Sequence, residues 1–166
     1  MTWWATDTMV LNDKEYSIVK PMELVNFRDD YNLDWEVYTT AGNGCDATFV
    51  VKDNLLILDK LSVCLGKVTD YPMINGVKPS AFLYDNVPTY NDIGLHIKYT
   101  GMCLIGQNRI DFSKWKQNIV LEFKEGLLLK TKKSKKSTEK TLEWIYAQKT
   151  PLTVGDILGR VGKLKK

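Results

Sequence analysis

The sequence predicts a mainly β fold, α+β at most, in which short antiparallel strands form a sandwich or a partly open barrel with one or two short helices. Two observations support this fold class. Apolar and polar residues alternate in many short runs, as they do in half-buried strands. Short polar turns separate several of these runs, as they do in β-hairpins. The 166 residues fit a single β-rich domain, 1–166, with a lysine-rich connection near 130–140.

The first two elements are predicted to form a hairpin. Residues 3–11 are rich in Trp, Thr and Val, and an Asn-Asp-Lys turn leads from them into a second run at 15–19. Residues 21–27 (PMELVNF) follow, and their apolar spacing fits a short helix and an irregular strand equally well. Residues 34–39 alternate and predict a further strand, which ends at an Ala-Gly-Asn-Gly turn.

Two more hairpins are predicted from one shared pattern. Residues 45–51 and 55–61 flank a Lys-Asp-Asn turn, and residues 119–123 and 127–131 flank a Lys-Glu-Gly turn. Between these hairpins in the chain, residues 95–105 alternate as well and predict another strand. Together these segments would supply most of the sheet.

The remaining segments give weaker signals. Residues 66–92 contain three prolines together with several Asn and Gly, which predicts long surface connections. Residues 142–147 (LEWIYA) combine β-favouring side chains with helical spacing, and we favour a strand. Thr153 followed by Asp156 resembles a capping box and predicts a short C-terminal helix.

The composition, with 44% hydrophobic and 26% charged residues, is typical of a soluble globular domain. No apolar run approaches the ~20 residues that span a bilayer, so no membrane span is predicted. The N-terminus has neither the basic region nor the long apolar region of a cleaved signal, which predicts a cytoplasmic location. The oligomeric state is left open by these patterns.

The cysteines and the lone histidine do not form a recognisable reactive or metal-binding motif. Cys45, Cys64 and Cys103 are far apart, no Cys-x-x-Cys occurs, and His96 is the single histidine of the chain. We interpret the cysteines as buried, reduced thiols and His96 as a solvent-facing strand residue. No metal site and no cofactor is predicted.

Charge is distributed unevenly along the chain. From residue 124 onward there are twelve basic and four acidic residues, whereas the first 123 residues hold eleven basic and sixteen acidic ones. The candidate basic patch comprises Lys130, Lys132, Lys133, Lys135 and Lys136. We favour a solvated loop or edge strand, where lysines discourage edge-to-edge pairing, over a patch for phosphate backbones or acidic lipids. Nucleic-acid binding is disfavoured because arginine forks and interleaved aromatic residues are missing from the run.

A candidate acidic surface lies earlier in the chain. Asp29, Asp30, Asp34 and Glu36 cluster within eight positions, close to Trp35. Paired carboxylates could perform acid–base chemistry on a sugar, and an aromatic ring could stack on it. A solvated acidic surface is favoured, because isolated carboxylates are mostly exposed. Such a surface could also form one side of a protein interface.

The central hairpin resembles a group of small uncharacterised bacterial proteins. The resemblance rests on Thr-Thr-Ala at 39–41, Ala-Thr-Phe at 47–49, and Asp-Asn at 53–54 before a Leu-rich strand. This chain has Gly-Cys-Asp at 44–46 where the group has an Arg-Gly-Tyr-like turn. The resemblance covers about 7–129 and implies a bacterial origin and a β-rich fold. That group has no assigned activity, so no functional residue is carried over from it.

Two functional hypotheses follow from these patterns. The first is a non-catalytic domain that binds another protein through an acidic or aromatic surface. Bacterial toxin-neutralising immunity proteins are, by analogy, one setting for such a domain. The second is a carboxylate-based hydrolase or sugar-binding domain. The non-catalytic hypothesis is favoured over an enzyme. A concave pocket with convergent carboxylates of raised pKa would favour the second hypothesis.

Overall fold

A computed structural model describes residues 6–27, 30, 45–63, 71–82, 87–111 and 113–148. These residues are mainly β, as predicted, with ten strands and one α-helix of described bounds. The elements are β1 (Thr8–Leu11), β2 (Lys14–Lys20), β3 (Cys45–Lys52), β4 (Leu55–Val63), β5 (Ala81–Phe82), β6 (Pro88–Tyr90), β7 (Leu95–His96), β8 (Gly101–Asp111), β9 (Lys114–Lys124), β10 (Leu127–Ser134) and α1 (Thr138–Gln148).

The strands form one mixed sheet that closes on itself as a ring, although the ring is not a regular barrel. The strand order is β10-β9-β8-β2-β1-β3-β4-β6-β5, and β7 pairs with β4. The ring closes where Leu127 of β10 pairs with Leu55 of β4. The predicted antiparallel arrangement holds for each described pair except β1 and β3, which run parallel.

The three predicted hairpins are confirmed, and their turns show why the sequence forms them. Each turn has two central residues with positive φ, namely Asn12 and Asp13, Asp53 and Asn54, and Glu125 and Gly126. Such turns match the natural twist of paired strands, and Asn, Asp and Gly adopt positive φ most readily. The turns therefore set the register of β1 with β2, of β3 with β4, and of β9 with β10.

The main hydrophobic core fills the inside of the ring. Phe49, Leu58 and Phe123, from three different strands, are each almost completely buried there. Burial of such a side chain stabilises the fold by roughly 1.5–3 kcal/mol. Cys45 and Cys103 are also buried, as the sequence predicted for them.

A second, smaller core lies on the outer face of the ring under α1. Leu104, Val120 and Ile145 are buried together, and Leu142 and Trp144 pack against them. The strand favoured for 142–147 is therefore wrong, because this segment lies inside α1. The helical spacing outweighs the β preference of Trp and Ile, since it places one face of the segment on the sheet. This helix is too short and too polar to span a membrane, and among the described residues no helix meets that requirement.

Two further predictions need correction. Residues 66–92 are not simply surface connections, because β5 and β6 extend the sheet and Tyr90 is fully buried within them. The strand predicted at 95–105 is divided: β7 ends at His96 and β8 begins at Gly101. His96 is exposed and Ile97 is buried, as the alternation predicted. The strand predicted at 34–39 and the helix predicted after Thr153 lie outside the described residues.

Candidate functional site

A pocket of about 270 Å³ opens on the outer face, between β9 and β10 on one side and α1 on the other. Its lining combines a valine and a tryptophan with four lysines and two hydroxyl-bearing residues. The lining residues are Val120, Lys132, Lys133, Ser134, Lys135, Lys136, Thr141 and Trp144. We refer to this cavity as the lysine–tryptophan pocket.

The base of the pocket is set by the pairing of β9 with β10. Lys132 lies opposite Val120, and Ser134 lies opposite Asn118, so these side chains share the outer face. The register shifts between Leu128 and Lys130, which indicates a β-bulge or a similar irregularity. A shift of one residue reverses the faces of the residues that follow, so this irregularity helps determine which lysines face α1.

The start of α1 is held in place by a cap and by hydrogen bonds to β9. The hydroxyl of Ser137 accepts a hydrogen bond from the N–H of Lys140 at 3.3 Å, as an N-cap residue does. The Thr138 hydroxyl accepts one from the Trp115 N–H at 3.0 Å and donates one to Asn118 Oδ1 at 3.0 Å. Thr138 is buried, so these bonds fix the helix against the sheet beside the pocket.

Two hydroxyls at the pocket wall form a directed chain of hydrogen bonds. The Thr141 hydroxyl donates to the carbonyl of Ser137 at 2.7 Å. Because the Thr141 hydroxyl has one proton and donates it to Ser137, the Ser134 hydroxyl donates to Thr141 Oγ1, at 2.7 Å. Ser134 Oγ in turn accepts from the N–H of Lys136 at 3.2 Å. This chain orders the connection from β10 to α1, the part of the wall that carries Lys135 and Lys136.

The apolar wall of the pocket is the indole of Trp144, which a lysine contacts directly. Nζ of Lys132 lies 4.7 Å from the centroid of the Trp144 ring, within the range of a cation–π interaction. Lys132 is exposed and Trp144 is half-buried, so both remain accessible to a ligand. A ligand that places an apolar group on the ring and an anion near the ammonium would satisfy both residues.

The predicted basic patch is brought together only in part. Lys132, Lys133, Lys135 and Lys136 line the pocket, whereas Lys130 lies farther along β10, opposite Glu122 of β9. The lysines at 130, 132 and 133 belong to an edge strand, and those at 135 and 136 to the short connection before α1. All five lysines of the patch are exposed.

The predicted acidic surface cannot be placed as a unit. Asp30 is exposed and its N–H donates to the carbonyl of Asn26 at 2.8 Å, as in a helical turn. Asp29, Asp34 and Glu36 lie outside the described residues.

Another carboxyl, which the sequence patterns did not single out, is buried in the ring. Asp7 Oδ1 accepts a hydrogen bond from the N–H of Ala47 at 3.0 Å, which ties β3 to the start of β1. Burial raises the pKa of Asp7 to about 7, the Ala47 hydrogen bond lowers it, and the nearby charges of Asp46 and Glu23 raise it further. The buried Asp7 therefore holds a strand in place, and it contributes nothing to the lysine–tryptophan pocket.

The surroundings of Asp7 also make Cys45 a poor nucleophile. Burial, followed by the charges of Asp7, Glu23 and Asp46, raises the pKa of the Cys45 thiol to about 12. A thiol that reacts as a nucleophile needs the opposite shift, because the thiolate is the reactive form. Within the described ranges, no group of three or more His, Cys, Asp and Glu side chains is arranged to hold a metal ion.

The lining residues that sequence patterns missed are Val120, Ser134, Thr141 and Trp144. Val120 belongs to a strand that was predicted, but nothing in the sequence indicated that its side chain faces outward under a helix. Trp144 lies twelve positions after Lys132, and the strand prediction for this segment obscured the link between them. Helical spacing from a Ser137 cap is the signal that could have placed Trp144 beside the basic run.

Comparisons with protein-family models, with curated proteins and with solved structures found no match to this chain. The resemblance to a bacterial group therefore stays a prediction, and the case for a function rests on the geometry of the pocket.

Proposed function

We propose that this chain is a non-catalytic protein-binding domain whose lysine–tryptophan pocket binds an acidic segment of a partner protein. The observation that carries this proposal is the placement of Trp144 among exposed lysines in a cavity of about 270 Å³. Recognition surfaces are enriched in tryptophan, and lysines around such a surface steer a partner of opposite charge.

The lining of the pocket supports binding rather than hydrolysis. It contains lysines, hydroxyls, a valine and a tryptophan, but no carboxylate that could act as an acid or a base. The carboxyl whose pKa is raised to about 7, Asp7, is buried and already accepts a hydrogen bond from Ala47. A carboxylate-based hydrolase or sugar-binding domain, the second hypothesis from the sequence, receives no support from this pocket.

The biological setting belongs to the same proposal. The resemblance to small bacterial proteins supports a bacterial origin, and a cytoplasmic location is part of the same proposal. Immunity proteins that neutralise toxins are one class of small bacterial domain that works by binding alone. In such a role, the partner would present acidic side chains to the basic surface described above.

A binding titration tests the proposed function. A fluorescein-labelled peptide rich in glutamate, with one central Phe, is titrated with the protein at low and at high salt while fluorescence anisotropy is measured. We expect saturable binding that weakens with salt and falls at least about tenfold, roughly 1.4 kcal/mol, in the Lys132→Glu variant. Lys52→Glu is the control, because Lys52 is also exposed but belongs to β3 and does not line the pocket. Equal affinity in both variants would contradict the proposal.

A further inference from the structure

The strand that carries most of the basic patch has an open edge among the described strands. β10 pairs with β9 along its length, but with β4 only at Leu127. In an antiparallel ladder, alternate residues direct their N–H and C=O groups toward each neighbour. The part of β10 from Leu129 to Ser134 therefore presents backbone groups that no described strand pairs on the side away from β9, as edge strands do.

The side chains of β10 would place an added strand beside the pocket. Lys130 and Lys132 lie opposite Glu122 and Val120 of β9, on the face that α1 covers. A strand added to the open edge of β10 would direct every second side chain toward that same face. Those side chains would meet the two lysines and the Trp144 ring.

We propose that an extended acidic segment of the partner adds as a strand to the edge of β10 between Leu129 and Ser134. Its carboxylates would lie against Lys130 and Lys132, and one apolar side chain would enter the pocket beside Trp144. The inference rests on the proposed function and deepens it, because it specifies both the binding mode and the chemistry of the partner.

Protection of the edge from aggregation is a simpler role for the lysines, but it does not account for the whole surface. Lysines on an edge discourage pairing with unrelated strands. Protection alone requires neither a cavity of about 270 Å³ beside the strand nor a half-buried indole in its wall. Leu129 is also 54% exposed on this edge, where an added strand would cover it. Lysines that disfavour pairing with basic or uncharged strands would select an acidic strand.

Charge also decides between possible occupants of the edge. A second copy of this chain paired edge to edge through β10 would bring the same lysines against each other, which is unfavourable. Residues 149–166 contain five basic residues and one acidic residue, so they are repelled as well. A single-stranded nucleic acid matches the lysines and the indole, but it has no peptide groups to pair with the strand edge.

The binding mode is tested with two peptides that carry the same charges. The parent peptide alternates Glu with Val over about eight residues, the length of a typical strand, and has a central Phe. In each derivative every second backbone nitrogen is methylated, on one edge in the first derivative and on the opposite edge in the second. Methylation removes the hydrogen-bond donors of one edge and leaves the charge unchanged.

We expect one methylated derivative to lose at least about tenfold in affinity while the other binds about as well as the parent. Binding of both derivatives with parental affinity would overturn strand addition but leave the proposed function standing. Failure of the parent and of both derivatives to bind would overturn the proposed function together with the inference. Tighter binding of an oligothymidylate than of the parent, lost in Lys132→Glu, would overturn both in favour of nucleic acid.

Discussion

The hairpins β3–β4 and β9–β10 have the same local design but different neighbours. Each consists of two strands joined by a two-residue turn whose central residues have positive φ. β4 pairs with β3, β6 and β7, and with β10 at one residue, whereas β10 pairs with β9 and with that same residue of β4. Most side chains of β4 are buried or half-buried, and none on β10 is buried.

This difference shows that the local pattern determines the hairpin, whereas the neighbouring strands determine what the hairpin does. β4 is a strand of the ring with partners on both sides, and its buried side chains contribute to the main core. β10 is left at the edge, where its backbone and its lysines remain available to a partner.

The largest loss of stability is expected where the β9–β10 hairpin closes the ring. Gly126 has a φ of +77°, and a Cβ at this position would collide with the backbone carbonyl of Ile97. Gly126→Ala should cost about 4 kcal/mol, from left-handed backbone strain of roughly 1–2 kcal/mol and displacement of packed backbone of roughly 1–3 kcal/mol. Asn54→Ala, at the equivalent position of the β3–β4 hairpin, is the control and should cost about 1 kcal/mol. Urea unfolding measures both, and equal costs would contradict the closure described here.

The second strands of the two hairpins should respond differently to the same substitution. Leu58 of β4 is fully buried, whereas Leu129 of β10 is 54% exposed. Leu58→Ala should therefore cost about 3 kcal/mol through lost burial and cavity formation. Leu129→Ala should change the free energy of unfolding by less than about 0.5 kcal/mol. Similar losses in the two variants, measured by chemical denaturation, would show that β10 is not an exposed edge.

The buried carboxyl of Asp7, which ties β3 to the start of β1, should make stability depend on pH. Because the pKa of Asp7 is raised from 3.8 to about 7, the folded state holds the proton more tightly than the unfolded state. The contribution of Asp7 is complete below about pH 4, falls as the pH rises to about 7, and is absent above that.

Asp7→Asn mimics the neutral form and keeps an oxygen for the Ala47 N–H. Relative to the wild type, we expect it to gain about 2 kcal/mol between about pH 5 and pH 7. Urea unfolding at both pH values measures this gain. A constant difference between the two proteins across this range would contradict a raised pKa for Asp7.

The smallest effect on stability is expected at the pocket. The contact between Lys132 and the Trp144 ring lies at an accessible site, where a cation–π interaction contributes roughly 0.5–1 kcal/mol. Lys132→Met should therefore lower stability by less than about 1 kcal/mol while it weakens binding of the acidic peptide several-fold. A loss of stability above about 2 kcal/mol would show that Lys132 supports the fold rather than a ligand.

The three hairpins could be predicted from the sequence because short-range chemistry determines them. Asn-Asp, Asp-Asn and Glu-Gly stand at the turns, and alternating side chains flank them. The closure of the ring between Leu55 and Leu127 could not be predicted, since residues more than seventy positions apart meet there. The parallel pairing of β1 with β3 also depends on a non-local contact, between residues forty positions apart.

The candidate site was likewise predictable from the sequence only in part. The lysines were evident from composition, but the pocket forms only when α1 lies across β9 and brings Trp144 next to Lys132. Predicting this required the correct secondary structure for 142–147, where β propensity and helical spacing conflict. Packing on Val120 and capping by Ser137 resolve that conflict in favour of the helix.

Amide hydrogen exchange on the complex with the acidic peptide tests most directly whether β10 is the binding edge. We expect slower exchange at alternate amides between Leu129 and Ser134 when the peptide is saturating. Exchange across Leu55–Val63 of β4 should stay unchanged, because that strand already has partners on both sides. Unchanged exchange throughout β10 in the saturated complex, or slower exchange confined to β4, would show that the peptide does not add to the edge of β10.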